Sequence, residues 1–177
     1  TPLFRAADEG HAGVVKLLLA HKADVNKASE SGITPLQLAA ARGHTGTMKL
    51  LLVHKADINA ANDEGTTPLF FAAGGGSTNV MKLLLAHKAG VDTVNSLGET
   101  PLHMAAHWGH PLSAELLIRA GAITSVLSND GETALQIADW HNQDYYAGMD
   151  PPEPEPDHPG CLAVLTTPVA ALLPWRP

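Results

Sequence analysis

The sequence predicts a solenoid built from stacked pairs of helices joined by projecting loops. The prediction rests on a fixed repeat, on capping residues at the start of each unit, and on an apolar run that follows each of the first four caps. The heptapeptide Thr100-Pro101-Leu102-His103-Met104-Ala105-Ala106 recurs as Thr1-Pro2-Leu3-Phe4-Arg5-Ala6-Ala7, Thr34-Pro35-Leu36-Gln37-Leu38-Ala39-Ala40 and Thr67-Pro68-Leu69-Phe70-Phe71-Ala72-Ala73. A decayed copy, Thr133-Ala134-Leu135-Gln136-Ile137-Ala138, comes last, and every step between the five copies is 33 residues. A constant period of this size marks a protein of stacked repeats.

Each unit then reads in order. Its Thr is a natural N-cap. Pro2, Pro35, Pro68 and Pro101 sit at the first helical position, where a missing N–H costs nothing. Gly10-His11, Gly43-His44 and Gly109-His110 end the short first helix, with the Gly able to take a left-handed turn. The second helices are Val14-Val15-Lys16-Leu17-Leu18-Leu19, Met48-Lys49-Leu50-Leu51-Leu52, Val80-Met81-Lys82-Leu83-Leu84-Leu85 and Ala114-Glu115-Leu116-Leu117-Ile118. Their apolar faces must be buried against the sister helix and the neighbouring unit. Loops follow with Ala23-Asp24-Val25-Asn26 and Ala56-Asp57-Ile58-Asn59, then the looser Ala89-Gly90-Val91-Asp92 and Ala122-Ile123-Thr124.

The 33-residue Thr-Pro-Leu-x-x-Ala-Ala pattern resembles the ankyrin repeat over residues 1 to about 143. The resemblance implies an all-α ankyrin-repeat solenoid of helix-turn-helix units, four nearly complete and a degenerate fifth, within a domain spanning 1–149. Two departures stand out. Ankyrin repeats usually place Gly just before the Ala-Asp of the loop; here Lys22, Lys55 and Lys88 hold that place and only Gly121 conforms. A left-handed backbone would cost each Lys roughly 1 kcal/mol relative to Gly. The third inter-helix turn, Gly74-Gly75-Gly76-Ser77, lacks the usual His and predicts a soft joint. In the fifth unit, Trp140-His141-Asn142-Gln143-Asp144-Tyr145-Tyr146 has no apolar helical period. The Pro-rich run from Asp150 onward predicts a disordered tail over 150–177 with an apolar end, Cys161 to Leu173, interrupted by Pro168. That end falls short of the ~20 residues a membrane helix needs, so no membrane insertion is expected.

Composition narrows the function. Eleven basic against 18 acidic residues give a formal charge of −7. This argues against a nucleic-acid partner, which calls for a basic stripe, and favours basic or neutral ones. The single cysteine, Cys161, cannot close an internal disulfide, so an intracellular, chiefly cytoplasmic or nuclear, location is expected. The chain starts inside a repeat without Met, as a fragment of a longer protein would.

Ten histidines invite a metal reading, but the repeat accounts for most of them. His21, His54 and His87 share one repeat position; His11, His44 and His110 share another. Equivalent positions in stacked helices lie about 10 Å apart, whereas ligands of one metal lie within ~2.1 Å of it. The Gly-His imidazoles are expected to bond local backbone, and His103 is structural in the same sense. No nucleophile elbow, phosphate loop or zinc-protease motif is present. Neither an enzyme nor a cofactor is expected.

A solenoid leaves a long concave surface for binding. The resemblance implies that partners meet the loop tips and the ends of the first helices. The candidates are Glu30, Ile33, Arg42, Asp63, Glu64, Leu97, Glu99, His107, Trp108, Asp130, Glu132 and Trp140. Trp108 and Trp140 are hot-spot candidates. With Leu97, Glu99 and Glu132 they would form an acid-rimmed aromatic patch for a Lys- or Arg-bearing apolar peptide, with cation–π contact available. Trp140 has the competing role of capping the end of the stack. The resemblance also implies loop hydroxylation at Asn26 and Asn59, against the simpler role of loop-stabilising hydrogen bonds. The expected function is a non-catalytic protein-interaction scaffold. The alternatives are a recognition arm of a larger enzyme, channel or ubiquitin-ligase-type assembly, and a spacer without a partner. Oligomeric state is left open.

Overall fold

In a computed structural model, residues 1–138 and 165–166 are described. Eight helices are complete among them: α1 (Pro2–Asp8), α2 (Ala12–Ala20), α3 (Pro35–Ala41), α4 (Thr45–Val53), α5 (Pro68–Gly74), α6 (Thr78–Ala86), α7 (Pro101–His107) and α8 (Pro111–Arg119). A further helical stretch opens at 134–138, and no strand occurs among the described residues. The odd-numbered helices form an inner row and the even-numbered ones an outer row, each helix packing on its sister and on its counterparts in adjacent units.

The inner row packs more closely than the outer, because it meets through alanine. Ala7, Ala39, Ala40, Ala72, Ala73, Ala105 and Ala106 have no exposed surface, and small side chains let helices approach. The outer helices bury Met48, Leu51, Met81, Leu84 and Leu117, which hold them further apart. A per-unit difference of this kind bends a solenoid so that the inner row lines its concave side.

The caps form as the sequence requires. Thr1 Oγ1 accepts from the Phe4 N–H at 3.2 Å. Thr34 and Gln37 make a reciprocal capping box, the Thr34 N–H donating to Gln37 Oε1 at 2.6 Å and the Gln37 N–H to Thr34 Oγ1 at 3.3 Å. Thr133 and Gln136 repeat it. The side chain three residues past the Thr also ties the first helix to the loop that closes its unit. Gln37 Nε2 donates to the Ala60 and Thr66 carbonyls at 2.9 and 2.6 Å, and His103 Nε2 to the Glu132 carbonyl at 3.1 Å. In the third unit that place is Phe70, which has no such donor; the buried Thr67 hydroxyl above it has no hydrogen-bond partner among the described residues.

The Gly-His histidines correct one expectation. Where a unit precedes them, as for His44 and His110, they do not bond local backbone; they reach back to that unit. His44 Nε2 donates to the Asp8 carbonyl at 2.9 Å and His110 Nε2 to the Gly74 carbonyl at 3.0 Å, across 36 residues in both cases. Gly10 and Gly76 permit this twice over. Both have positive φ, 70° and 63°, and a Cβ on either would lie within 3 Å of the imidazole resting on it. Ser77 stands where the third imidazole would be, and the α4–α6 contact is the sparsest of the outer row. The third unit, where a soft joint is expected, thus lacks both of these side-chain bonds.

Lys22, Lys55 and Lys88 adopt φ of 62°, 65° and 62°, the left-handed conformation their place demands. The histidines just before them cap the outer helices: His21, His54 and His87 donate Nδ1–H to the carbonyls of Leu17, Leu50 and Leu83, each at 2.9 Å. The loops form a second ladder. Asn26 Oδ1 accepts from the Asp57 N–H, Asn59 Oδ1 from the Gly90 N–H and Asp92 Oδ1 from the Ile123 N–H, at 2.8–2.9 Å. No described helix is long and apolar enough to cross a membrane. The reading of 150–177 as a tail lies outside the described residues, except that Leu165 and Thr166 are helical and Leu165 is buried.

Candidate functional site

On the concave side a groove of about 500 Å³ runs over the third unit. Its floor is Phe70, Phe71, Gly74 and Gly75 of the α5 segment with Met104 of α7; Trp108 and Ala41 stand at its two ends, and Glu64, Leu97 and Glu99 overhang it from the loops. Missing side chains make the groove. The first, second and fourth units carry Asp8-Glu9, Ala41-Arg42 and His107-Trp108 where the third carries Gly74-Gly75. A Cβ on Gly74 would meet the Trp108 indole and the Met104 methyl at 3.4 Å, ordinary van der Waals contact.

Trp108 is 55% exposed and Leu97 58%, large apolar surfaces that a folded chain does not leave in water without cost. The Trp108 ring is steadied edge-on by His107, with centroids 5.2 Å apart at 77°. The overhanging acid is also held: Asn95 Nδ2 donates to Glu99 Oε2 at 2.9 Å, while Asn95 Oδ1 accepts from the Glu99 N–H. Glu64 is exposed on the neighbouring tip. No basic side chain lines the groove. It offers an apolar floor, one indole face and carboxylates at the rim.

Of the candidate residues, Glu64, Leu97, Glu99 and Trp108 converge here, with His107 behind. Glu30, Asp63 and Asp130 are exposed on other tips, and Ile33 and Glu132 are half-buried at loop bases. Arg42 is exposed and paired with Asp8 of the preceding unit, Nε to Oδ1 at 2.9 Å; that hydrogen bond, and then the carboxylate's charge, raise the guanidinium pKa above its ordinary value. Trp140 lies outside the described residues, so a patch between the two tryptophans is not on view. The groove instead opens on the other side of Trp108, toward Gly74 and away from Glu132. Sequence reading missed Phe70, Phe71, Met104 and Asn95. The signal that could have found the groove was the pair of glycines set 33 residues before His107-Trp108. The amide oxygens of Asn26 and Asn59 are both engaged in the loop ladder described above. Among the described residues no three His, Cys, Asp or Glu side chains gather as a metal site would require.

The paired short helices, Thr-Pro caps and left-handed turns define a class of repeat solenoid that presents a concave face. The family model for ankyrin repeats (three copies) matches the chain in three overlapping stretches, residues 3–95, 42–126 and 76–147. The chain belongs to the ankyrin repeat family. The matches do not themselves count the copies; four complete helix pairs and the opening of a fifth inner helix are described. No match is found among curated proteins. Ankyrin repeats are generally protein–protein interaction modules, typically without catalytic activity.

Proposed function

We propose that this chain is a recognition module that takes an extended peptide in the groove over Gly74 and Gly75. The peptide carries an apolar side chain with Lys or Arg beside it. The carrying observation is the coincidence, in one groove, of a glycine floor, an exposed indole and carboxylates at the rim. The apolar residue would fill the space above Phe71 and Met104. A flanking cation would reach Glu99 or Glu64 and pass over the Trp108 face, an arrangement worth roughly 0.5–2 kcal/mol from the cation–π contact alone. The chain's net charge of −7 would add to the rate of encounter with a basic segment.

A randomised peptide array probed with the whole chain tests this. Enrichment of Lys or Arg next to Leu, Ile or Phe is expected, and Gly74→Leu, which fills the floor, removes it. Enrichment of acidic peptides, or binding that survives both Gly74→Leu and Trp108→Ala, refutes the reading. If no peptide is enriched at all, the spacer role gains over recognition.

A further inference from the structure

The net charge of −7 conceals a basic face. The outer-row stretches 12–22, 45–55 and 78–88 hold six of the chain's 11 basic residues, Lys16, Lys22, Lys49, Lys55, Lys82 and Lys88, and none of its 18 acids. All six lysines are exposed, and none pairs with an acid among the described residues. The carboxylates of Asp24 and Asp57, two residues beyond Lys22 and Lys55, turn into their own loops, where they accept from the Asn26 and Asn59 N–H groups at 3.0 Å. Stacked helices lie about 10 Å apart, close to the ~8 Å Debye length at physiological salt. The fields of neighbouring lysines therefore add along the row.

The fold does not demand lysine at these places. The fourth unit has Glu115 at the first of them and Gly121, with φ 95°, at the second. The first three units instead carry a left-handed lysine that glycine would relieve. Between the lysines the exposed residues Gly13, Ala20, Gly46, Val53, Asn79 and Ala86 are small and uncharged, with Val53 78% exposed. We infer that the outer row is a second docking face, for the surface of a bilayer rich in anionic lipid. Lysines set among small aliphatic residues suit a diffuse sheet of negative charge, which asks for no fixed contact geometry. A nucleic acid would call for arginine forks or aromatic platforms, and the three stretches contain no Arg, Phe, Trp or Tyr. The contact is peripheral and leaves the concave groove open on the opposite side of the stack. It is independent of what that groove binds.

Cosedimentation of the whole chain with vesicles tests it. Phosphatidylcholine alone is compared with phosphatidylcholine containing about one-third phosphatidylserine, at low and at high salt. The serine-lipid vesicles should bind at least about tenfold more tightly, and salt should weaken that binding. Each lysine at such a surface is worth about fivefold, so Lys22→Gly, Lys55→Gly and Lys88→Gly together should cut binding by at least about tenfold. The same triple variant should melt no lower than wild type, which excludes unfolding as the cause. Arg5→Gln, which removes one charge from the inner row, should stay within about twofold, while Lys55→Gly alone loses about fivefold. Equal binding to the two vesicles, or wild-type binding by the triple variant, overturns the inference. So does a loss in Arg5→Gln as large as that in Lys55→Gly, since net charge alone would then act. Binding to a mixed-sequence RNA duplex without binding to either vesicle also overturns it and assigns the face to nucleic acid.

Discussion

Ser77→His should restore a missing tie between the second and third units. Ser77 has φ −80° and ψ 74°, close to the −79° and 69° of His44, so the backbone already fits. Gly43, with φ 74°, lies beneath it as Gly10 lies beneath His44. The Ala41 carbonyl occupies the place of the Asp8 and Gly74 carbonyls that the other two imidazoles reach. One buried N–H···O=C bond adds about 0.5–1.5 kcal/mol, and packing the ring on Gly43 adds to that. For a stack of this size each kcal/mol raises Tm by roughly 2–4 °C. Urea unfolding followed by circular dichroism would show a higher midpoint at unchanged slope. Hydrogen exchange should slow in α4 and α6 above all. The reciprocal change, His44→Ser, should cost at least as much at the first joint. If Ser77→His leaves the midpoint where it was while His44→Ser lowers it, the imidazole tie is not the missing element and the soft joint has another cause. If neither moves the midpoint, the backward histidine bonds carry no stability.

Other perturbations follow from the same geometry. Changing Lys22, Lys55 and Lys88 together to Gly relieves three left-handed side chains; the sites are far apart, so gains of ~0.5–1 kcal/mol each should add and raise the thermal midpoint by several degrees. Thr47→Val removes a fully buried hydroxyl without a partner among the described residues, at the place Val80 fills one unit later, and should stabilise by about 1 kcal/mol in urea titration. Gly74→Ala should raise stability by about 0.5–1 kcal/mol through helix propensity yet weaken peptide binding, read by calorimetry beside the melt. Gly10→Ala should lower the midpoint by well over 1 kcal/mol equivalent, because the new methyl meets the His44 ring at 2.7 Å and the backbone is left-handed.

The framework was legible because its signals are local. A Thr followed by Pro caps and starts a helix wherever it occurs, and a Lys in the loop's glycine position must turn left-handed or break the unit. The backward reach of His44 and the forward reach of Gln37 were not legible, since they depend on how helices and loops pack rather than on neighbours in sequence. The groove was harder still. Gly74 and Gly75 read as a flexible turn at a partner-facing helix end; only the packed stack shows that their lost side chains leave room for Trp108 to stand beside an open floor. Trp108, Leu97 and Glu99 were named from their repeat positions, which fix a side of the solenoid. Which of those positions meet depends on what the intervening unit leaves out.

The loop ladder has a consequence for how such a chain can change in length. Asn26, Asn59 and Asp92 each hold an amide 31 residues ahead, so the bond always joins one position to the corresponding donor of the next unit. Excising residues 34–66 would bring Asn26 opposite Gly90 in the register Asn59 now uses, and the loops could close again with no residue out of phase. The stack is therefore editable in whole units: a gene that gains or loses 33 codons changes the span of the concave face without changing the rules by which its parts fit.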